Sequence, residues 1–358
     1  MALSPSAHVD SFTRDSLPPA SQWPTFEFTL PELQYPDRLN AGAALIDRAV
    51  ERFGADRPAL IAPDGTRWNY GELQTRANQV AQVLAEDLGL LPGNRVLLRS
   101  PNNPWTVAAW LGVLKAGGVV VTTMHALRAA ELEPIIAKTK PSVALVDHRF
   151  ADDVELAFRS LGAGAVPVVR YGGEGADDLT QRAATKSGVF DAVPTAADDV
   201  ALLGPTSVST GVPKITMQFH LDILATAPTA YRAILKAGRA DLLAGVKKAV
   251  SAGEHLPQET WHHVHDETGL KLINGIGATE LLHVFISAAG DDIIPGATGR
   301  AVPGYRATIL DAEGNEASPG ELGRLAVIGP TGCRYLSDER QLSYVVNGWN
   351  VTGDTFYR

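Results

Sequence analysis

Four hydroxyls and one ammonium group fall within the stretch Thr206 to Lys214, which reads TSVSTGVPK. Thr206, Ser207, Ser209 and Thr210 offer hydroxyl donors, Gly211 lets backbone N–H groups approach an anion closely, and Lys214 supplies a point charge. That is the chemistry of a loop that grips phosphate. A polar surface turn has the same composition, and these residues alone leave both readings open. They do exclude a Walker loop, because Gly204 stands at the wrong spacing from Gly211 and Pro213 precedes Lys214 where that motif needs glycine. A second cluster, His262, His263 and His265, has metal-ligating side chains. Helical spacing splays these imidazoles and no carboxylate or cysteine completes a tetrahedral set, so a solvated helix face is expected there.

The loop needs strands to carry it. Val200 to Leu203 reads as a short buried strand entering it, and Ile215 to Gln218 as the strand leaving it. Upstream, Leu39 to Arg52 has helical apolar spacing with Gly54 as a stop, and the runs Ala59 to Ala62 and Arg67 to Tyr70 flank a Pro-Asp-Gly turn as a hairpin. Helix and strand then alternate: helix Tyr70 to Glu86, strand Arg95 to Arg99, helix Pro104 to Ala116, strand Val119 to Thr122, helix Arg128 to Lys138, strand Val143 to Val146. The strands RVLLR, VVVTT and VALVD are almost continuously apolar, which predicts a parallel sheet covered on both faces. Asp152 to Leu161 continues as helix and Val166 to Arg170 as strand. Gly172 to Asp199 is Gly-, Ala- and Asp-rich and reads as a boundary. Beyond residue 299 short strands and turns, including the alternating Tyr305 to Leu310, predict a small β-barrel-like unit.

Composition narrows the class. The chain has 358 residues, 45% of them hydrophobic, enough for two or three cores. Its formal net charge of −9 argues against nucleic acid as a partner. One cysteine, Cys333, cannot form an internal disulfide and suits a reducing cytoplasm, and neither an export signal nor a membrane span is evident.

Three further stretches join the hydroxyl loop in a fixed order: VSAGEHLP (Val250 to Pro257), NGIGATELLHVFIS (Asn274 to Ser287) and TGD (Thr352 to Asp354). Together they resemble the adenylate-forming superfamily, the acyl-CoA synthetases and their relatives, and GIGATELLHVFIS is most similar to the benzoate and 2-aminobenzoate-CoA ligases. No GxGxxG follows a first strand, which sets a Rossmann dehydrogenase aside. The resemblance implies an α/β fold of stacked, mainly parallel sheets flanked by helices plus the small β unit, the N-terminal domain of the acyl-CoA synthetase fold in incomplete form. Expected divisions are an irregular N-terminal arm over 1–36, α/β subdomains over 37–199 and 200–298, and a β subdomain over 299–358.

The implied activity is joining of a small aromatic carboxylic acid to CoA at the expense of ATP, through an acyl-adenylate. By that resemblance Thr206, Ser207, Thr210, Gly211, Lys214, Gly253, Glu254, Asn274, Gly277 and Asp354 contact ATP or AMP. Thr279 reaches its phosphate, Glu280 holds Mg²⁺, and His283 borders the aromatic acid. A hard cation bridging phosphates suits one carboxylate among waters. This chain departs from the pattern in three places. Val208 stands where relatives have glycine, and a β-branched residue tolerates φ > 0 poorly. The segment that carries the aromatic pocket in relatives is missing after Ala225, so an open edge with Ile223, Leu224, Ile234 and Leu235 near it, and self-association through it, are expected. The chain also stops at Arg358, before the domain that brings the catalytic lysine. Impaired or absent turnover is therefore expected of this chain, and a non-catalytic nucleotide-binding or interaction module on the same scaffold is the alternative.

Overall fold

A computed structural model describes residues 3–62, 64–206, 213–218, 232, 235, 236, 238 and 248–357. Its residues divide into two compact units, one made of Met1–Pro18, Tyr35–His220 and Tyr335–Asp338, the other of Pro19–Gln34, Leu221–Arg334 and Glu339–Arg358.

In the first unit, β1 (Pro58–Ile61) and β2 (Arg67–Asn69) form the antiparallel hairpin. Strands β3 (Arg95–Arg99), β4 (Val119–Thr123), β5 (Val143–Asp147), β6 (Val168–Tyr171), β7 (Leu202–Pro205) and β8 (Ile215–Gln218) make a six-stranded sheet in the order β6-β5-β3-β4-β7-β8. All neighbours are parallel except β7 and β8, which pair antiparallel with Leu203 opposite Met217. Every residue of β3 and of β5 is buried, as apolar runs on a doubly covered sheet must be. Leu97, Val121, Ala144 and Val146 pack with Leu132, Ile135, Val154 and Phe158 of helices Ala129–Thr139 and Ala151–Ser160. Each large aliphatic side chain buried this way contributes roughly 1.5–3 kcal/mol.

Local chemistry sets where these helices begin. Asn69 and Glu72 form a reciprocal capping box, the Asn69 side chain accepting from the Glu72 N–H at 2.7 Å and the Glu72 carboxylate from the Asn69 N–H at 2.9 Å. Asn103 caps helix Pro104–Lys115 by accepting from the Thr106 N–H at 2.9 Å, with Pro104 pre-set in the first turn. A Cβ on Gly112 would lie 2.7 Å from Val80 and 2.8 Å from the Ala77 carbonyl, so glycine is what lets this helix press against helix Tyr70–Gln82. At its far end Lys115, 1% exposed, reaches both carboxylate oxygens of Asp47 at 2.7 and 2.8 Å. One helix lies within the expected connection: Leu179–Ala184, started by Asp178, whose carboxylate accepts from the Thr180 N–H at 2.8 Å.

The first residues of the chain belong to the same unit by ionic contacts. Arg14 pairs with Asp198 at 3.2 Å and Asp199 at 3.0 Å, and Asp10 pairs with Arg95. Asp199 also accepts from the Ser6 hydroxyl at 2.5 Å and the Ala7 N–H at 3.1 Å.

The second unit holds two four-stranded sheets. In one, β9 (Ala249–Ala252) and β10 (Leu272–Gly277) run parallel, and β11 (Val284–Ser287) and β12 (Arg300–Ala301) follow antiparallel in the order β12-β11-β10-β9. In the other, β13 (Arg306–Leu310), β14 (Leu322–Ile328), β15 (Val345–Val346) and β16 (Trp349–Tyr357) form the antiparallel order β13-β14-β16-β15. Helix Gln258–Thr268 covers the first sheet through Trp261 and Val264, and the Trp261 indole donates to the Leu272 carbonyl at 2.9 Å. Leu281 and Phe285 share a core with Ile309, Leu325 and Val327, which joins the two sheets. Leu235 is half-buried against the Trp261 cluster. The expected join at Ala225, with Ile223, Leu224 and Ile234, lies outside the described residues. Among those described, no helix is long and apolar enough to cross a membrane.

Candidate functional site

The sequence-predicted residues fall in both units. In the first, β7 and β8 hold the ends of the hydroxyl loop. The Thr206 N–H donates to the Lys214 carbonyl at 2.9 Å, and buried Thr216 donates its hydroxyl to the Gly204 carbonyl at 3.1 Å, so the hairpin stem is closed. The Thr206 hydroxyl is buried and has no hydrogen-bond partner among the described residues. Such an atom costs stability unless something accepts or donates there. The Lys214 ammonium lies 5.2 Å from the Tyr335 ring centroid, a cation–π contact. Ser207, Val208, Thr210 and Gly211 lie outside the described residues.

In the second unit β9 runs out at Gly253, whose φ of +85° suits glycine and around which a Cβ would meet only open space. Glu254 is exposed and lies 3.7 Å from Arg232. Asn274 sits on β10, its amide donating to the Thr298 hydroxyl at 3.4 Å and its carbonyl accepting from the Ser287 hydroxyl at 2.7 Å.

The chain reverses between β10 and β11. At Gly277 a Cβ would come within 2.8 Å of the His283 carbonyl, so the two limbs of the reversal touch. Between them Thr279–Leu281 forms one 3-10 turn in which Thr279 is exposed and Glu280 is 8% exposed. Leu282 then adopts φ +62°, a left-handed conformation costly for a residue with a Cβ. The His283 ring follows, with Nδ1 2.5 Å from the Val284 carbonyl and its plane 9° from that of Tyr305 at 6.5 Å. A carbonyl only accepts, so the neutral ring carries its proton on Nδ1 and presents Nε2 as an acceptor.

Asp354 is exposed on β16, and its N–H donates to the hydroxyl of buried Thr352 at 3.2 Å. Tyr344 ends the short helix Gln341–Tyr344. Burial pushes its phenol well above the ordinary range, and the charges of Glu280, Cys333 and Asp354 push in the same direction. Sequence reasoning passed over Tyr344, Tyr305 and Thr331. None stands in a recognisable local pattern, and only the fold shows what they face.

The three neighbouring histidines have other company. His262 Nε2 lies 3.4 Å from the Gln258 amide nitrogen, His263 4.0 Å from Glu267, and His265 stacks on Trp261 with Nδ1 3.3 Å from the Leu270 carbonyl. No group of three or more His, Cys, Asp or Glu side chains able to hold a metal occurs among the described residues.

The family model described as "AMP-binding enzyme" matches residues 46–227 and 216–335. Benzoate–CoA ligase of Thauera aromatica is 26% identical over 406 residues, an alignment that takes in 92% of this chain and 76% of the relative. 3-Hydroxybenzoate–CoA ligase of Aromatoleum sp. (strain CIB) is 24% identical over 396 residues, covering 89% of this chain and 75% of the relative. Both alignments are longer than the 358 residues available, so the relatives carry additional residues inside the matched region. Among solved structures, the anthranilate CoA ligase AuaEII in complex with anthranoyl-AMP superposes with a TM-score of 0.80 at 23% identity, over 90% of this chain and 75% of that one. The fold is that of the acyl-CoA synthetases, in a shortened form.

Proposed function

Since this chain belongs to the AMP-binding enzyme family, we propose that its site is built to activate an aromatic carboxylic acid with ATP and to pass the acyl group to CoA. The observation that carries this reading is the reversal between β10 and β11, which gathers exposed Thr279, buried Glu280 and the oriented His283 within a few residues. Its sense is strengthened by the relatives, which are ligases of benzoate and hydroxybenzoate.

In the proposed reaction the acid's carboxylate attacks the α-phosphate of ATP, the bond to the β-phosphate breaks, and pyrophosphate leaves. The CoA thiol, giving up its proton, then attacks the acyl carbonyl and AMP departs. Lys214 and the hydroxyl of Thr206 would hold phosphate oxygens, with Ser207, Thr210 and Gly211 completing the loop. Gly253 and Glu254 would border the base, with Asn274 and Gly277 lining the nucleotide. Asp354 would accept from the ribose hydroxyls, which a fixed carboxylate does well. His283, with Nε2 as acceptor, suits an acid that bears a donor substituent.

The donor set fits Mg²⁺. Glu280 would offer one carboxylate, which suits a cation held otherwise by phosphates and water. Bound Mg²⁺ would offset phosphate charge and polarise the α-phosphate. The protein's own part is orientation. Thr279 faces the solvent side of the turn, and burial of Glu280 keeps its carboxylate from swinging away.

The shortening inside the matched region favours weak turnover, and nucleotide binding without catalysis is the second reading. Pyrophosphate release with ATP, Mg²⁺ and benzoate or 2-aminobenzoate separates the two. Calorimetry with AMP tests the common premise: wild type should bind, and Asp354→Ala should lose at least about tenfold in affinity by removing the ribose acceptor. Equal affinity of the two proteins would sink the nucleotide assignment.

A further inference from the structure

Thr331, in the second unit, braces the reversal that carries Glu280. The Thr331 hydroxyl donates to the Leu281 carbonyl at 2.6 Å and lies 2.7 Å from the Tyr305 hydroxyl. Because the proton of Thr331 is committed to Leu281, the Tyr305 hydroxyl must be the donor to Thr331. A relay results, from Tyr305 through Thr331 to the carbonyl next to Glu280, in which each bond polarises the next.

The same tyrosine ring lies almost parallel to His283, 6.5 Å away with planes 9° apart. Its other surroundings hold it in place. A Cβ on Gly329 would lie 2.3 Å from the ring, so glycine makes room for it, and Phe285 packs at 6.5 Å with planes 44° apart. The left-handed Leu282 lies between the two braced points. A residue with a Cβ persists there only where its surroundings over-determine it, at a cost of order 1–3 kcal/mol.

We propose that Tyr305 and Thr331 are paired positioning residues: the hydroxyl relay sets the Glu280 turn, the ring sets the plane of His283, and the nucleotide side and the acid side of the reversal are thereby held as one rigid piece. What the two sides bind rests on the reading given under Proposed function; that they are coupled rests on the contacts above. Removing the relay while keeping the shape should loosen both sides together.

The test uses the whole chain and three variants. Thr331→Val keeps the volume and removes the relay, Thr331→Ser restores the hydroxyl, and Tyr305→Phe removes the donor but keeps the ring. Two sets of readouts are taken: the His283 ring resonances with amide exchange at Leu282 and His283, and calorimetric affinities for Mg²⁺–ATP and for 2-aminobenzoate. In Thr331→Val the His283 resonances should move, the two amides should exchange faster, and both affinities should fall about tenfold, with Thr331→Ser returning all of them toward wild type. Tyr305→Phe should speed exchange at Leu282 more than it moves the His283 ring. The proposal is overturned if Thr331→Val leaves the His283 ring and both amides as they were, or if only one of the two affinities changes. Should Thr331→Val not fold, Tyr305→Phe and Thr331→Ser decide it by the same signals. If the wild-type chain binds neither ligand, the functional reading fails, and the resonances and exchange rates still decide the coupling.

Discussion

The two units spend their burial differently. In the first, β3 and β5 are buried along their whole length between layers of helices, and even Lys115 and Arg99 are 1% exposed. In the second, β10 mixes buried with more open positions, β14 is open over its first three residues and buried over its last four, and β16 passes from buried to exposed as it reaches Gly353 and Asp354. A sheet covered on both faces is stable but leaves little room for a ligand. The second unit leaves Thr279 exposed on a one-turn helix and Asp354 exposed on β16, where their side chains can reach solvent.

Largest in expected effect is a break in the first unit. Asp47→Ala would leave the Lys115 ammonium buried without its carboxylate, and losing one partner of such a pair costs about 3–5 kcal/mol. Urea unfolding measures it. A loss below about 1 kcal/mol would mean that Lys115 relaxes to water, and the contrast in burial would then overstate the rigidity of this unit.

Gly277→Ala sharpens the other side of the comparison. The added methyl would meet the His283 carbonyl at 2.8 Å, so the reversal must open; overpacking of this kind costs roughly 1–3 kcal/mol. The shift should be concentrated in amide resonances from Thr279 to Val284. Shifts spread evenly through the second unit would show that the reversal is not locally held.

Smallest, and confined to the N-terminal residues, is an acid effect. Burial lowers the pKa of His8, with Asp199 opposing, so its imidazole is held neutral in the folded chain. For Asp199 burial acts upward, but hydrogen bonds led by the Ser6 hydroxyl outweigh it and the net shift is downward. Both folded values lie below their unfolded ones, so in each window the unfolded state binds more protons. Stability is present in full above the unfolded value and is lost as pH falls toward the folded one. The His8 contribution should therefore decline from about pH 6.5 downward and the Asp199 contribution from about pH 4. Exchange of the Ala7 N–H, corrected for its intrinsic pH dependence, should show both steps, and His8→Gln should remove only the upper one. A single step in wild type would contradict the role given to His8.

How far this molecule was legible in its residues follows the same division. Strands β3 and β8 begin and end where apolar runs and flanking turns say they should, and the three neighbouring histidines lie on a helix, Gln258–Thr268, as expected. The helices come within a few residues of their expected ends; Tyr70–Gln82 gives way to a wider π turn over Val83–Asp87, which apolar spacing does not distinguish. Helix Leu179–Ala184 was hidden by its Gly-, Ala- and Asp-rich surroundings, although Asp178 is an ordinary N-cap. The family and its shortened fold were legible because the motif residues lie close together along the chain. The brace around Glu280 was not, since Thr331 reaches Leu281 across 50 positions and Leu282 carries no sequence sign of a left-handed turn.

Cys333, the one cysteine of the chain, is fully buried in the second unit, its N–H donating to the Asn350 side chain at 2.8 Å and its sulfur 4.0 Å from Gln341. A thiol reagent can reach that sulfur only when the packing around it opens. Its rate of alkylation under native conditions is consequently a clock, already installed, that counts openings around β16 and the Tyr344 helix without any engineered label.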